Sequence, residues 1–199
     1  YVGSGSVASL VHSKIDSNSA GYGSAFTVNN ASISFDSSKV MRNASENSTA
    51  VIGSGGTATV DASIFYDNDQ QIDVNDTSSV TLDWTIIYES NNDSSETFNL
   101  TTGSSLTVTS SMVQGTQSGI TTDGTSSFSW EADHLPWYGG NLPDVDPLFC
   151  AAPGDLDICE DSQCIIFDPN DPGDIDGFPI GGIIVGCQVC GQHGPGNLM

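Results

Sequence analysis

The sequence predicts an all-β fold: a parallel β-helix, or solenoid, of about 5–6 coils, followed by a C-terminal cap. Three observations carry that prediction. A motif of hydroxyl, apolar, hydroxyl, apolar residues recurs every 22–26 residues. Further polar and apolar columns keep register with it. The composition then breaks between residues 130 and 148: of 45 Ser and Thr, 44 lie in the first 130 residues, while all five Cys and five of the eight Pro follow residue 149.

The repeat is read first. Its copies are Ser32-Ile33-Ser34-Phe35, Thr57-Ala58-Thr59-Val60, Ser79-Val80-Thr81-Leu82, Ser105-Leu106-Thr107-Val108 and Ser127-Phe128-Ser129-Trp130, with an imperfect earlier copy at Val7-Ala8-Ser9-Leu10. Three residues after each last apolar position comes Ser13, Ser38, Ser63, Thr85 or Ser111. Eight residues after it comes Asn18, Asn43, Asn68, Ser90 or Thr116. A second apolar pair recurs at Phe26/Val28, Ile72/Val74 and Phe98/Leu100, with Ala50/Ile52 and Ile120/Thr122 as weaker members. Alternation with period two marks short strands, and Gly, Asn, Asp and Ser clusters mark the turns between them. Two or three short strands in one repeat make one coil. Coils stacked about 4.8 Å apart align equivalent residues into ladders, with apolar columns inside and hydroxyls outside. Inward Ser and Asn at fixed corners can hydrogen-bond along the stack. An antiparallel sandwich also has evenly spaced strands, but it gives no reason for ladders at this period. The coils are expected over residues 1–135, the cap over 136–190 and a short tail over 191–199.

Charge excludes several functions. The chain of 199 residues carries 3 Lys+Arg against 25 Asp+Glu, a net charge of −22. Its bases are Lys14, Lys39 and Arg42, and the following 157 residues have none. Nucleic acids and anionic membrane surfaces both demand basic side chains, so neither is expected as a partner. No apolar run approaches the ~20 residues of a membrane span, so no membrane insertion is expected. Tyr1 follows no basic, apolar leader, which fits a processed or partial chain.

An open solenoid end exposes unpaired backbone and apolar side chains. Trp130, Trp137, Tyr138 and Phe149 are bulky enough to cover the last coil, leaving the first coil open. Within this region Asp146-Pro147-Leu148-Phe149, Gly154-Asp155, Asp161-Ser162, Asp174-Ile175-Asp176-Gly177 and Ile180-Gly181-Gly182 follow one another. This run resembles the C-terminal signature of secreted right-handed parallel β-helix proteins, in the variant with Cys after the Phe (here Cys150) and a final Gly-Cys. Gln163 stands where that family has Pro, Gly182 where Ala is usual, and the Arg that often follows the D-x-D-G segment is absent. The resemblance covers residues 141–190 well and the coils loosely. It implies a right-handed solenoid and secretion, hence an extracellular or cell-surface location, and little about activity.

Secretion favours disulfides, which would staple a cap too small for its own core. Cys150, Cys159, Cys164 and Cys187 can pair, and Cys190 is then unpaired or intermolecular. Loop economy alone suggests Cys150–Cys159 and Cys164–Cys187. A zinc site is the rival, because Cys187-x2-Cys190 has ligand spacing. Six N-x-S/T sequons offer glycan acceptors at Asn30, Asn43, Asn47, Asn75, Asn92 and Asn99, against about three that the Ser/Thr content would give by chance. Asp168, Asn170, Asp174 and Asp176 resemble a Ca²⁺ loop but lack the bidentate Glu beyond it. No other cofactor is expected.

Catalytic constellations are thin. A lyase acting on polyanions needs cationic clamps, and Arg42 is the single Arg. A glycosidase needs paired carboxylates, and the column Asp36, Asp61, Asp83, Thr109, Glu131 does stack acids on one outward face. Nothing in the sequence builds a cleft around it. The [Ser/Thr]-x-[Ser/Thr] array resembles the surfaces of ice-binding solenoids, but only Thr57/Thr59 has two Thr. His12, His134 and His193 are far apart in sequence. Trp130, His134, Trp137 and Tyr138 suit cap packing or stacking on a sugar. The expected function is a non-catalytic, secreted structural glycoprotein of the cell surface or extracellular matrix, self-associating head to tail into a polymer. The alternatives are a β-helix that binds or cleaves a neutral glycan, and an adhesin fragment of a longer chain.

Overall fold

The computed structural model describes residues 1–68, 72–89, 97–132, 140–142, 146–151, 155–159, 164–166, 178–179 and 185–187. The chain winds into a solenoid of about five stacked coils built almost wholly from parallel strands. The one helical segment among the described residues is a 3-10 turn at Thr116–Gly119.

Each coil contributes a strand to each of three parallel sheets. The first sheet stacks Val7–Val11, Ser32–Asp36, Thr57–Asp61, Ser79–Asp83, Ser105–Thr109 and Ser127–Trp130 in that order. The hydroxyl–apolar motif aligns residue for residue, including the imperfect first copy, with Val7 opposite Ser32 and Leu10 opposite Phe35. The second sheet stacks Lys14–Asp16, Lys39–Met41, Ile64–Tyr66, Ile86–Tyr88 and Met112–Val113. The third stacks Phe26–Asn29, Ala50–Gly53, Ile72–Val74, Phe98–Leu100 and Ile120–Thr122, which is the second apolar column of the sequence.

The interior is built of apolar columns, two from the first sheet, one from the second and two from the third. Ile33, Ala58, Val80 and Leu106 line one file of the first sheet, and Phe35, Val60, Leu82 and Val108 the other. Val40, Phe65, Ile87 and Val113 face them from the second sheet, and the Phe26 and Val28 files from the third. Phe26, Phe35 and Phe65, one from each sheet, meet with ring centroids 5.0, 5.9 and 6.3 Å apart.

Corners turn the chain between sheets, and they use left-handed backbone. His12, Ser37, Ala62, Trp84 and Ser110, with φ between 45° and 49°, form the corner after the first sheet. The next residue turns inward, which explains the recurring hydroxyl. Ser13 N–H donates to Ser38 Oγ (3.1 Å), Ser38 N–H to Ser63 Oγ (3.0 Å) and Thr85 N–H to Ser111 Oγ (3.0 Å). Ser17, Arg42 and Asp67 form the second corner in the same way, and Asn18, Asn43 and Asn68 follow. Asn18 Nδ2 donates to Asn43 Oδ1 (2.9 Å) and Asn43 Nδ2 to Asn68 Oδ1 (3.0 Å). In a narrow solenoid these ladders satisfy backbone groups that the corners take out of the sheets. The Asn column does not continue as read: Ser90 lies outside the described residues, and Thr116 is itself a left-handed position. Gln114 Oε1 instead accepts from Glu89 N–H.

One residue expected in the end cap, Phe149, packs elsewhere. Phe149 does not lie over the last coil. Its ring stands edge-on to Tyr66 (5.3 Å) and meets Tyr88 (6.5 Å), residues of the second sheet two coils and one coil below the last. Leu142, Leu156, Ile158 and Cys164 join Met41, Ile64, Tyr66, Ile86 and Met112 in a second hydrophobic cluster, with Phe149 packed against it. These described residues therefore lie along the flank, on the outer face of the second sheet. The solenoid pattern also runs past residue 135. Asn141 accepts from Ser111 N–H (3.0 Å), ending the hydroxyl ladder, and Leu142 bridges to Met112 as one more rung of the second sheet. Beyond them Phe149–Ala151 pairs antiparallel with Asp155–Cys159, which pairs parallel with Val185–Cys187, Cys159 opposite Cys187. Trp130 does pack against the core of the last coil. Trp137 and Tyr138 lie outside the described residues.

Candidate functional site

The three outer faces and the two ends of the solenoid are the surfaces available to a partner. On the first face, strand alternation sends Ser32, Thr57, Ser79, Ser105 and Ser127 outward in one file and Ser34, Thr59, Thr81, Thr107 and Ser129 in another. Some hydroxyls bond along the stack: Ser34 Oγ donates to Ser9 Oγ (3.1 Å) and Thr57 Oγ1 to Ser32 Oγ (2.8 Å).

A third outward file begins at Val11 and continues as Asp36, Asp61, Asp83 and Thr109. The expected acidic column is thus one continuous file of register partners. Partial burial pushes the Asp61 carboxyl up, and the like charges of Asp83 and Asp36 on either side push it further. Thr109 Oγ1 donates to Asp83 Oδ1 (3.0 Å), so the Thr relieves the next carboxylate rather than adding to the repulsion. Glu131 turns to accept from Ser110 N–H (2.9 Å). The carboxylates sit on an open, flat strand face, with no wall rising around them among the described residues.

The second face is apolar and covered from coil three onward; its second coil sets Lys39 beside buried Met41, and its first carries Lys14 and Asp16. Arg42 donates through Nε to Asp16 Oδ1 (2.9 Å) and through Nη2 to Asp16 Oδ2, while Lys14 Nζ lies 2.8 Å from Asp16 Oδ2. The Arg42 guanidinium, then Lys14, hold the Asp16 carboxyl well below the usual carboxylate range. Lys39 Nζ reaches Asp157 Oδ1 at 3.9 Å, tying a coil to the C-terminal region. All three bases therefore have carboxylate partners.

The third face and its corners carry the sequons. Asn30 and Asn47 are exposed; Asn75 and Asn99 are half-buried, and Asn99 Nδ2 donates to Asp73 Oδ1 (3.0 Å). Asn43 is different. It is fully buried, and its amide accepts from Asn18 and donates to Asn68 and to the Ile15 carbonyl (3.2 Å). An acceptor must present its amide to solvent, so Asn43 belongs to the ladder and not to the glycan sites. Asn92 lies outside the described residues.

The remaining sequence candidates divide between placed and unplaced. Cys150 and Cys164 are buried at the flank, and the backbones of Cys159 and Cys187 are strand partners. Cys190, the Ca²⁺-loop candidates Asp168, Asn170, Asp174 and Asp176, and His134 and His193 lie outside the described residues. His12 is exposed at a first-corner position. Among the described residues no group of three or more His, Cys, Asp or Glu converges to hold a metal ion, and no helix is long and apolar enough to cross a membrane.

The ends complete the inventory. In the first coil Ala8, Leu10 and Ile15 are half-buried, where their column neighbours Ile33, Phe35 and Val40 are buried. At the other end Phe128 is 37% exposed. The residues that sequence reasoning missed are those of the second sheet. Their signal was present in the runs Ile64-Phe65-Tyr66 and Ile86-Ile87-Tyr88, since apolar residues on both parities mean a strand buried on both faces. No family model, curated protein or solved structure matches the chain.

Proposed function

We propose that this chain is a non-catalytic, extracellular structural module: a stiff solenoid of the cell surface or matrix that extends by adding coils end to end. The observation that carries this reading is the regular stack itself: about five coils align residue for residue in three parallel sheets, and the carboxylates of the first face stand on an open strand surface with no cleft among the described residues. The polar interior supports it as well. Buried Ser, Thr and Asn side chains hydrogen-bond along the stack, which stiffens the rod and leaves them unavailable for chemistry.

The secreted right-handed β-helix family that the C-terminal run resembles gives the compartment. Disulfides across the flank segment fit that compartment. Glycans would attach at Asn30, Asn47, Asn75 and Asn99, around the third face. Electron microscopy of the native, unreduced material tests the function. Filaments with an axial repeat of roughly 30 Å, about six coils at about 4.8 Å, are the expected result. Dispersed single particles at high concentration would overturn it.

One observation favours a second reading, in which the module binds a neutral glycan. The carboxylate file Asp36, Asp61, Asp83 runs beside two hydroxyl files, giving a row of acceptors and donors suited to sugar hydroxyls. Retention on immobilised neutral polysaccharide, lost in Asp61→Ala/Asp83→Ala, is its test.

A further inference from the structure

We propose that the first sugar of a glycan on Asn47 is seated in a groove formed by the first two coils, where it acts as part of the fold and not as a loose coat. The proposal rests on the glycoprotein reading above and names the place that one of those glycans occupies.

The groove has a volume of about 410 Å³ and is lined by Ser19, Ala20, Gly21, Ala44, Ser45 and Glu46. It forms where the two coils pair once more outside the three main sheets, Ser19 opposite Ala44 and Ala20 opposite Ser45. Small-molecule sites run from roughly 300 to 1,000 Å³, so this one holds a single pyranose ring with its acetamido group and not a branched chain. Its chemistry suits a sugar. Ser19 and Glu46 offer a hydroxyl and a carboxylate to sugar hydroxyls, and the methyl groups of Ala20 and Ala44 offer apolar contact to the ring. Tyr22, which follows Gly21 in the chain, is 66% exposed and adds an amphipathic side chain next to that wall.

Asn47 belongs to the sequon Asn47-Ser48-Thr49 and is tied to the groove wall. Its Nδ2 donates to the Gly21 carbonyl (2.9 Å) on the neighbouring coil. Its backbone N–H donates to Ser45 Oγ (3.3 Å), as does Ser48 N–H (3.1 Å), and that hydroxyl donates to the same Gly21 carbonyl (3.2 Å). The amide that would carry the sugar is thus held against a residue that lines the groove. Thr49 is 1% exposed, so the hydroxyl that completes the sequon is out of an enzyme's reach in the fold, and transfer precedes folding. In that step Nδ2 attacks the anomeric carbon of a lipid-diphosphate-linked oligosaccharide. An N–C bond forms, the bond from that carbon to the diphosphate oxygen breaks, the lipid diphosphate leaves and the amide loses one of its two protons. The remaining proton can still serve the Gly21 carbonyl.

Gly21 keeps the groove open. Its φ is not left-handed, so its backbone makes no demand for glycine. A Cβ built there meets no atom within 4 Å, so a side chain would project into empty space. Gly23 is the contrast: at φ 58° its Cβ would strike Thr27 Oγ1. A glycine where a side chain is tolerated gives away stability through the freedom of the unfolded chain. At Gly21 the compensating gain is the space it leaves beside the Asn47 amide.

The test uses the full chain secreted from glycosylating cells, with its glycopeptides mapped first. An amidase that releases N-linked sugars should act on Asn47 about tenfold more slowly than on Asn30 in native protein, because a seated sugar must first leave the groove, and equally fast on both after denaturation. Trimming every glycan to its first N-acetylglucosamine should leave the melting midpoint unchanged. Asn47→Gln should lower it by about 3 °C, and Asn30→Gln by less. Gly21→Leu, which fills the groove, should match the Asn47→Gln loss in glycosylated material and bring release at Asn47 up to the Asn30 rate. In chain made without glycosylation, Gly21→Leu should melt with the parent; Gly21→Thr takes its place if the Leu variant is not secreted. Equal release at Asn47 and Asn30 in native protein would overturn the seat and leave the glycoprotein reading standing. So would slow release at Asn47 that filling the groove does not relieve, or sugar at Asn30 with none at Asn47. Bare asparagine at every sequon would overturn both.

Discussion

The first and second sheets share one interior and differ on their outer faces. Both send an apolar file inward at every coil. Outward, the first sheet presents Ser, Thr and Asp to solvent, while the second presents Met41, Ile64, Tyr66, Ile86, Tyr88 and Met112. The difference follows from what lies above each. Residues 140–142 and 146–166, so far as they are described, fold back over the second sheet, and Leu142, Phe149, Leu156 and Ile158 bury its outer side. Toward the early coils that cover thins: Lys39 stands beside buried Met41 in the second coil, and the outward residues of the first are Lys14 and Asp16. Outer-face chemistry in a solenoid is therefore a local record of coverage: alternation means water, an unbroken apolar run means another piece of chain.

The largest expected effect sets these faces against each other. Ile86 is fully buried on the outer side of the second sheet, and Thr81 is exposed on the outer side of the first. Ile86→Ala should lower unfolding stability by about 3 kcal/mol through lost burial and a residual cavity. Thr81→Ala should change it by less than about 0.5 kcal/mol. Urea denaturation of the two variants decides the matter, and equal losses would mean that the flank segment adds no stability.

The ladders inside the corners come next. Asn43→Ala would strand Asn18 N–H and the Ile15 carbonyl, both of which bond to the Asn43 amide. A cost of about 2 kcal/mol is expected, that of leaving buried groups unpaired. Asn30→Ala removes an exposed bond from its Nδ2 to Ser4 Oγ (2.7 Å) and leaves an Ala at φ 48°, so a smaller cost of about 1 kcal/mol is expected. Glycopeptide mapping of secreted material should find sugar at Asn30 and Asn47 and none at Asn43.

The same contrast shows which parts of the fold were legible in sequence. Short tandem alternation is a strong signal, because a one-residue slip would turn every inner side chain outward. That pinned the first and third sheets to the correct residues, with the inward Ser column and the first three members of the Asn column. The second sheet was missed because its strands span two or three residues, too short for a period to show. The placement of Phe149 was missed for a related reason. A bulky aromatic near the end of a solenoid suits an end cap and a flank equally well; only the apolar runs of the second sheet, read as a surface needing cover, distinguish the two. At the candidate site, the acidic file was read correctly as a column. Asn43 looked like a sequon because the tripeptide carries no information about which side of the wall its Asn faces.

The corner between the two sheets offers a smaller, stabilising effect. Ala62 has φ 46°, a conformation that costs an L-residue about 1 kcal/mol. Ala62→Gly should raise stability by up to about that amount, less the extra freedom glycine has in the unfolded chain. Trp84 occupies the same corner one coil on, at φ 48°, but it packs against the second cluster. Trp84→Gly should therefore destabilise, although it relieves the same strain. Thermal melts of the pair should move in opposite directions.

The smallest effect belongs to the carboxylate file and carries a pH signature. Asp61 lies between Asp36 and Asp83, and its folded-state pKa is raised by partial burial and by those two charges. A raised folded pKa means the folded chain holds the proton more tightly than the unfolded one. Its stabilising contribution is therefore present below the unfolded carboxylate pKa and is lost as pH rises through the folded value. At neutral pH the repulsion is fully expressed. Asp61→Asn should then be more stable than the parent by about 0.5 kcal/mol, the scale of a like-charge cross-strand pair. The advantage should shrink as pH falls through the carboxylate range and should weaken with added salt, because the face is exposed. Asp16 supplies the opposite slope on the second sheet. Its depressed pKa, held down by Arg42 and Lys14, gives stability that is present above the unfolded carboxylate pKa and lost on acidification. Stability measured against pH in Asp61→Asn and Asp16→Asn separates the two. The first should flatten the decline as pH rises past the carboxylate range, the second the decline on acidification, and curves that move together would mean that neither face sets its own electrostatics.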